Sequence, residues 1–113
     1  MEKQIINTPS APAPIGPYNQ AVRIGDMLFI SGQICLDPAT GKLNNQDIQQ
    51  ETHQVMHNLR SILTAADMTF HNVVKTTIFI TDMTIYCESI IHHTAMVRVP
   101  LCKIIKIGAR PEV

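Results

Sequence analysis

The chain has no tryptophan, only three cysteines and no excess of either charge. It also lacks any apolar run approaching the ~18 residues that a membrane-spanning helix needs. The first residues, Met1-Glu2-Lys3-Gln4, are polar and no apolar segment follows, so no targeting segment is expected. Cys35, Cys87 and Cys102 are odd in number, far apart and without CxxC spacing. That pattern reads as free thiols in a reducing compartment, the cytoplasm by default. Nine basic residues balance nine acidic ones. With no basic block or stripe, nucleic acid is not the expected partner, and neither is a membrane. A near-neutral chain fits self-association instead. A Gly-rich phosphate loop, a GxSxG elbow and paired catalytic carboxylates are all missing.

What is present fits one small domain over residues 1–113, with enough chain for a single core. A Pro-rich stretch, Thr8 to Tyr18, is expected to be an ordered arm packed on that domain. Ala21-Val22-Arg23-Ile24 and Met27-Leu28-Phe29-Ile30 flank Gly25-Asp26, which predicts a hairpin with Gly25 at the positive-φ position of a II′ turn. From about Asn45 to Ala66, Ile48, Thr52, Val55, Met56, Leu59, Ile62, Leu63 and Ala66 recur at spacings of three and four. At about 100° per residue they form one helical stripe. Asn44 or Asn45 can cap this helix, with Asp47 in its first turn. Val73 to Thr81 is rich in β-branched residues and reads as a strand, with Val74, Thr76, Ile78 and Ile80 on one face. A second helix is expected near Thr84. Beyond Ile90, Val97–Val99 and Ile104–Ile107 are candidate strands, with Pro100 between them.

The order is strand, hairpin, helix, strand, helix and a less regular end. It predicts an α+β fold, a sheet with helices packed on one face. The other sheet face is then bare and apolar, which points to a homo-oligomer.

Four segments, in order and at matching spacing, resemble the RidA/YjgF family over roughly the first three quarters of the chain. They are Ala13 to Ala21 (APIGPYNQA), Leu28 to Leu43 around Ser31-Gly32-Gln33, Gln50 to Leu59, and Asn72 to Met83. The resemblance implies a chorismate-mutase-like subunit assembled as a trimer, with ligand clefts between subunits. It implies hydrolysis of enamine or imine intermediates such as 2-aminoacrylate to 2-keto acids and ammonia, with no metal or organic cofactor. It also implies that Tyr18 lines the cleft and that Ser31 and Gly32 border it. Read from the residues alone, Tyr18 could instead anchor the arm, and Ser31-Gly32 could simply end a strand.

The family's carboxylate-binding arginine sits in a Pro-Ala-Arg segment after the second helix. Here Ile90 to Arg98 does not match that segment. Arg98 and Arg110 are the candidates, with Arg110 favoured for its Ala109-Arg110 context; a solvated surface role is open for both. Asn19 stands where the family has Ser, and Cys35 where it has Pro; a packing role is expected for that thiol. A frame shifted by two nucleotides over Ala95 to Glu112 can read Tyr-Gly-Thr and then Ser-Pro-Ala-Arg-Gly, both family-like elements. A frameshifted tail is therefore an expectation that gene sequencing would test. His53 and His57 have the i, i+4 spacing of metal ligands, but lie opposite the apolar stripe with no third ligand. His92 and His93 are adjacent and do not converge on one ion. No metal site is expected.

Overall fold

The protein is described by a computed structural model covering residues 2–77 and, for the backbone, 107–109. The expected helix near Thr84, the strand at Val97–Val99 and all but the last residue of Ile104–Ile107 lie outside these residues. So do Cys87, Cys102, His92, His93, Arg98, Arg110 and the outer half of the Val73–Thr81 strand.

Among the described residues, five strands form one sheet in the order β1-β2-β3-β5-β4, and each pairing between them is antiparallel. They are β1 (Lys3–Ile6), β2 (Ala21–Ile24), β3 (Met27–Ile30), β4 (Val73–Lys75) and β5 (Ile107–Ala109). The helix α1 runs from Ile48 to Ala65 and leads through a 3-10 turn, Phe70–Asn72, into β4. Because β5 is antiparallel to both neighbours, β3 and β4 point the same way. The unit β3–α1–β4 is thus a crossover with a strand inserted in its gap.

The predicted hairpin is present. Ile24 faces Met27 across Gly25-Asp26, with Gly25 at φ 59° and no positive φ at Asp26. Positive φ at the first turn residue alone is the II′ pattern, which glycine adopts without steric cost. The strand β1 was not assigned from the residues; it pairs with β2 at the sheet edge, and of its four residues only Ile6 is buried.

The predicted stripe faces the sheet. Met56, Leu59, Ile62, Leu63 and Ala66 join Ile6, Ala21, Leu28, Ile30 and Val73 in one buried cluster, with Val55 packed against it. The helix starts later than expected. Asp47, not Asn44 or Asn45, is the N-cap, and its carboxylate accepts from the Gln50 N–H at 2.8 Å. The C-terminus closes with a Schellman pattern: Met68 N–H donates to Leu63 O at 2.8 Å and Asp67 N–H to Thr64 O at 3.0 Å. Asp67 takes the left-handed position at φ 58°. The Arg23 guanidinium, reaching over from β2, donates to the Ala66 carbonyl beside this helix end.

One strand expectation is corrected. Val74 and Thr76 do not share a face: Val74 is exposed and Thr76 buried. The register slips between Val73 and Lys75, where two residues of β4 answer one step of β5. This bulge places Val74 and Lys75 both outward and restores the inward phase only at Thr76.

Among the described residues, the sheet face away from α1 is apolar and exposed. Ile5, Val22 and Phe29 are paired across β1, β2 and β3. Ile5 is 50% exposed and Phe29 53%. Ile24 and Val74 are exposed as well.

Candidate functional site

Gln20 closes the Pro-rich arm onto the domain. Its buried side-chain amide accepts from the Thr8 N–H at 2.7 Å and donates to the carbonyls of Thr8, Ala11 and Pro12 at 3.0, 3.2 and 2.9 Å. An arm rich in proline has few donors of its own and cannot join a ladder, so side-chain amides must satisfy its backbone. Ala11 is buried in the core cluster. The expected packing of the arm is observed.

Ser31 joins the far end of the arm to the end of β3. Its hydroxyl donates to Asn19 O at 2.5 Å, and its N–H to Gln20 O at 2.9 Å. Tyr18, one residue before this clasp, turns tightly, with its N–H on Gly16 O at 2.8 Å. Its ring lies over Gly16, where an added Cβ would stand 3.4 Å from a ring carbon. Tyr18 is 47% exposed, whereas Ala11 and Gln20 of the same stretch are buried. The structure therefore ties Ser31, with Gly32 next in chain, to Asn19, the residue that follows Tyr18. Gly32 is exposed, and its φ is not among the positive ones. Arg98 and Arg110 lie outside the described residues.

The chain beyond Gly32 forms a small hairpin. Asn44 N–H donates to Cys35 O at 2.8 Å, Asp37 N–H to Lys42 O at 2.9 Å, and Leu36 bridges Leu43. Two further carbonyls are met from the helix. Asn58 Nδ2 donates to Ile34 O at 3.1 Å and to Leu36 O at 2.9 Å, while Asn58 Oδ1 accepts from Gln54 Nε2 at 3.0 Å. Gln20, Gln54 and Asn58 were not singled out from the sequence. Asn58 had a readable signal: it falls inside the apolar stripe of α1, where a polar side chain needs a partner.

The Cys35 thiol is buried, with Sγ 3.9 Å from Glu51 Oε1. Burial, and then the negative charge of Glu51, raise its pKa above the ordinary 9.0. A thiol held in its neutral form is a packing group, not a nucleophile. His53 and His57 are exposed on α1. Among the described residues, no group of three or more His, Cys, Asp or Glu side chains could hold a metal ion. Among the same residues no helix is long and apolar enough to cross a membrane.

The sequence profile of one family, described as Endoribonuclease L-PSP, matches residues 8–100. The chain belongs to this family, that of the RidA/YjgF proteins. A RutC family protein of Pyrococcus horikoshii is 47% identical over 81 residues, covering 72% of this chain and 64% of that protein. The 2-iminobutanoate/2-iminopropanoate deaminase of Mus musculus is 47% identical over 81 residues, covering 72% of this chain and 60% of that one. These matches span less than two thirds of the curated relatives' own length. Among solved structures, a candidate endoribonuclease of Thermotoga maritima superposes with a TM-score of 0.87 at 34% identity, covering 100% of both chains. E. coli TdcF with bound serine gives a TM-score of 0.83 at 28% identity, covering 95% of this chain and 98% of that one. The RidA-like fold read from the four motifs is thereby established. The profile match includes Tyr18, Ser31, Gly32 and Arg98 but ends before Arg110.

Proposed function

We propose that the protein hydrolyses reactive 2-imino and enamino acids of the 2-aminoacrylate type. The observation that carries this reading is the similarity to the mouse 2-iminobutanoate/2-iminopropanoate deaminase. Tautomerisation of the enamine gives a 2-imino acid. Water adds to its C=N carbon, the C–N bond breaks, and a 2-keto acid and ammonia leave. The uncatalysed reaction needs no redox partner, so a protein assists mainly by holding the substrate and stabilising developing charge.

In this scheme the seam made by Ser31 and Asn19 is one wall of the cleft. The exposed ring of Tyr18 lies beside the substrate, and the exposed backbone at Gly32 borders it. The carboxylate is held by a guanidinium, Arg98 or Arg110, whose planar fork matches it bidentately. The bare face carrying Ile5, Val22 and Phe29 is assigned to contact with further copies of the chain, as a homotrimer. The cytoplasm is the proposed location, since a reducing compartment suits free thiols.

Keto-acid release from 2-aminoacrylate generated in situ, with and without the protein, tests the reading. Acceleration over the spontaneous rate is expected. It should fall by at least ~30-fold on Arg98→Ala or Arg110→Ala, whichever holds the carboxylate, because losing such a contact costs ~2–5 kcal/mol. No acceleration by a folded, oligomeric sample would overturn it. A second reading, a non-catalytic oligomeric module that binds small carboxylates, is favoured by one observation: serine occupies the similar E. coli structure. It predicts saturable serine binding without keto-acid release.

A further inference from the structure

We propose that Asn58 is a positioning residue for the segment bearing Ser31 and Gly32, with Gln54 supporting its amide through Oδ1. The proposal rests on the deaminase reading for its catalytic consequence, but not for its structural one.

Asn58 is 0% exposed in the middle of a stripe otherwise made of Met56, Leu59, Ile62 and Leu63. A buried amide among apolar neighbours is tolerable only when bonded. The bonds Asn58 makes run to the loop. Its two N–H donors go to Ile34 O and Leu36 O, on either side of Cys35, whose own carbonyl is taken by Asn44. Both loop carbonyls can only accept, so they admit one orientation of the Asn58 amide, and Gln54 completes it by donating to Oδ1. The helix, the longest element among the described residues, is thereby tied to the loop three and five residues after Ser31. Three residues of chain span at most ~10 Å, so a shift at Ile34 is felt at Ser31 and Gly32. On the other side, Ser31 is clasped to Asn19. The site segment is held from both ends: by the arm through Ser31 and by α1 through Asn58.

Two near-isosteric variants test this. Asn58→Asp replaces the donor with an acceptor facing two carbonyls. Gln54→Glu replaces the donor to Asn58 Oδ1 with an acceptor and leaves both bonds from Nδ2 to the loop available. Steady-state rates of keto-acid release are measured at a temperature where circular dichroism shows each variant fully folded, alongside amide hydrogen exchange over residues 33–44. A loss of kcat/KM of ~10–100-fold is expected for Asn58→Asp, with faster exchange centred on 33–44. Gln54→Glu should show a smaller change in the same direction. Folded variants that keep the wild-type kcat/KM and lose only thermal stability would overturn the proposal. If Asn58→Asp does not fold, Gln54→Glu decides alone. If the wild-type protein has no deaminase activity, the functional reading fails, and unchanged exchange at 33–44 would separately sink the tether.

Discussion

Between the sheet and α1, Leu28, Ile30, Leu59, Ile62 and Leu63 are held by burial alone. Along the seam of the arm, β3 and the following loop, Gln20, Ser31 and Asn58 hold backbone carbonyls through directed hydrogen bonds. The first region is periodic chain whose backbone groups pair with one another, so its side chains are free to be apolar. The second is irregular chain, interrupted by proline, whose carbonyls have no ladder and must be met by side chains. Burial tolerates exchange among shapes of similar volume, whereas a seam of directed bonds fails when a donor becomes an acceptor.

The largest effect should come from the periodic region. Leu63→Ala empties a fully buried position on α1 against the sheet. Urea unfolding should show a loss of about 2–5 kcal/mol. A value under 1 kcal/mol would mean that the cluster is not the main source of stability and would weaken the contrast. Next comes the seam. Gln20→Leu keeps the bulk but abandons one N–H and three carbonyls of the arm. About 2 kcal/mol should be lost, and protease cleavage within residues 8–18 should rise far more than elsewhere. Uniform sensitivity along the chain would show that arm and core unfold as one unit.

These two regions also differ in how far they could be read in advance. The stripe of α1 and the Gly25-Asp26 hairpin were legible because their periods are geometric. A strand ahead of the hairpin was expected, but the residues of β1 were not placed, since a short edge strand with one buried residue carries no alternation. The strand from Val73 was read with the wrong phase at Val74, because a bulge leaves no mark on composition. Asn44 and Asn45 were the expected caps, with Asp47 placed in the first turn, and only the bond from Gln50 N–H shows Asp47 to be the cap. Tyr18, Ser31 and Gly32 came from resemblance to a family, not from any pattern of charge or spacing. What places Ser31 beside Asn19 is a long-range bond to a main-chain carbonyl, which no local pattern encodes.

Smaller effects sit at the helix ends. Asp47→Ala should lower stability by about 1 kcal/mol, while Asn45→Ala should leave it nearly unchanged. Equal losses would mean that the cap is shared. At the other end, Asp67 occupies a left-handed conformation that glycine adopts more readily. Thermal unfolding of Asp67→Gly should show a gain of up to about 1 kcal/mol, provided the Schellman bonds of Met68 and Asp67 persist.

The smallest effect separates the regions by pH. Cys35 lies where the two meet, its thiol buried and raised in pKa by burial and then by Glu51. Near and above pH 9.0, the unfolded chain releases this proton more readily than the folded one. The folded state then binds more protons, so stability falls as pH rises. Below that range the contribution is fully present. Chemical unfolding of the wild-type protein between pH 7 and 10 should therefore show an alkaline decline that is reduced in Cys35→Ala. The same burial predicts slow alkylation of Cys35 at neutral pH until the protein unfolds. Faster alkylation in Gln54→Glu, without a matching loss of global stability, would place the opening in the loop that Asn58 holds and leave the apolar core untouched.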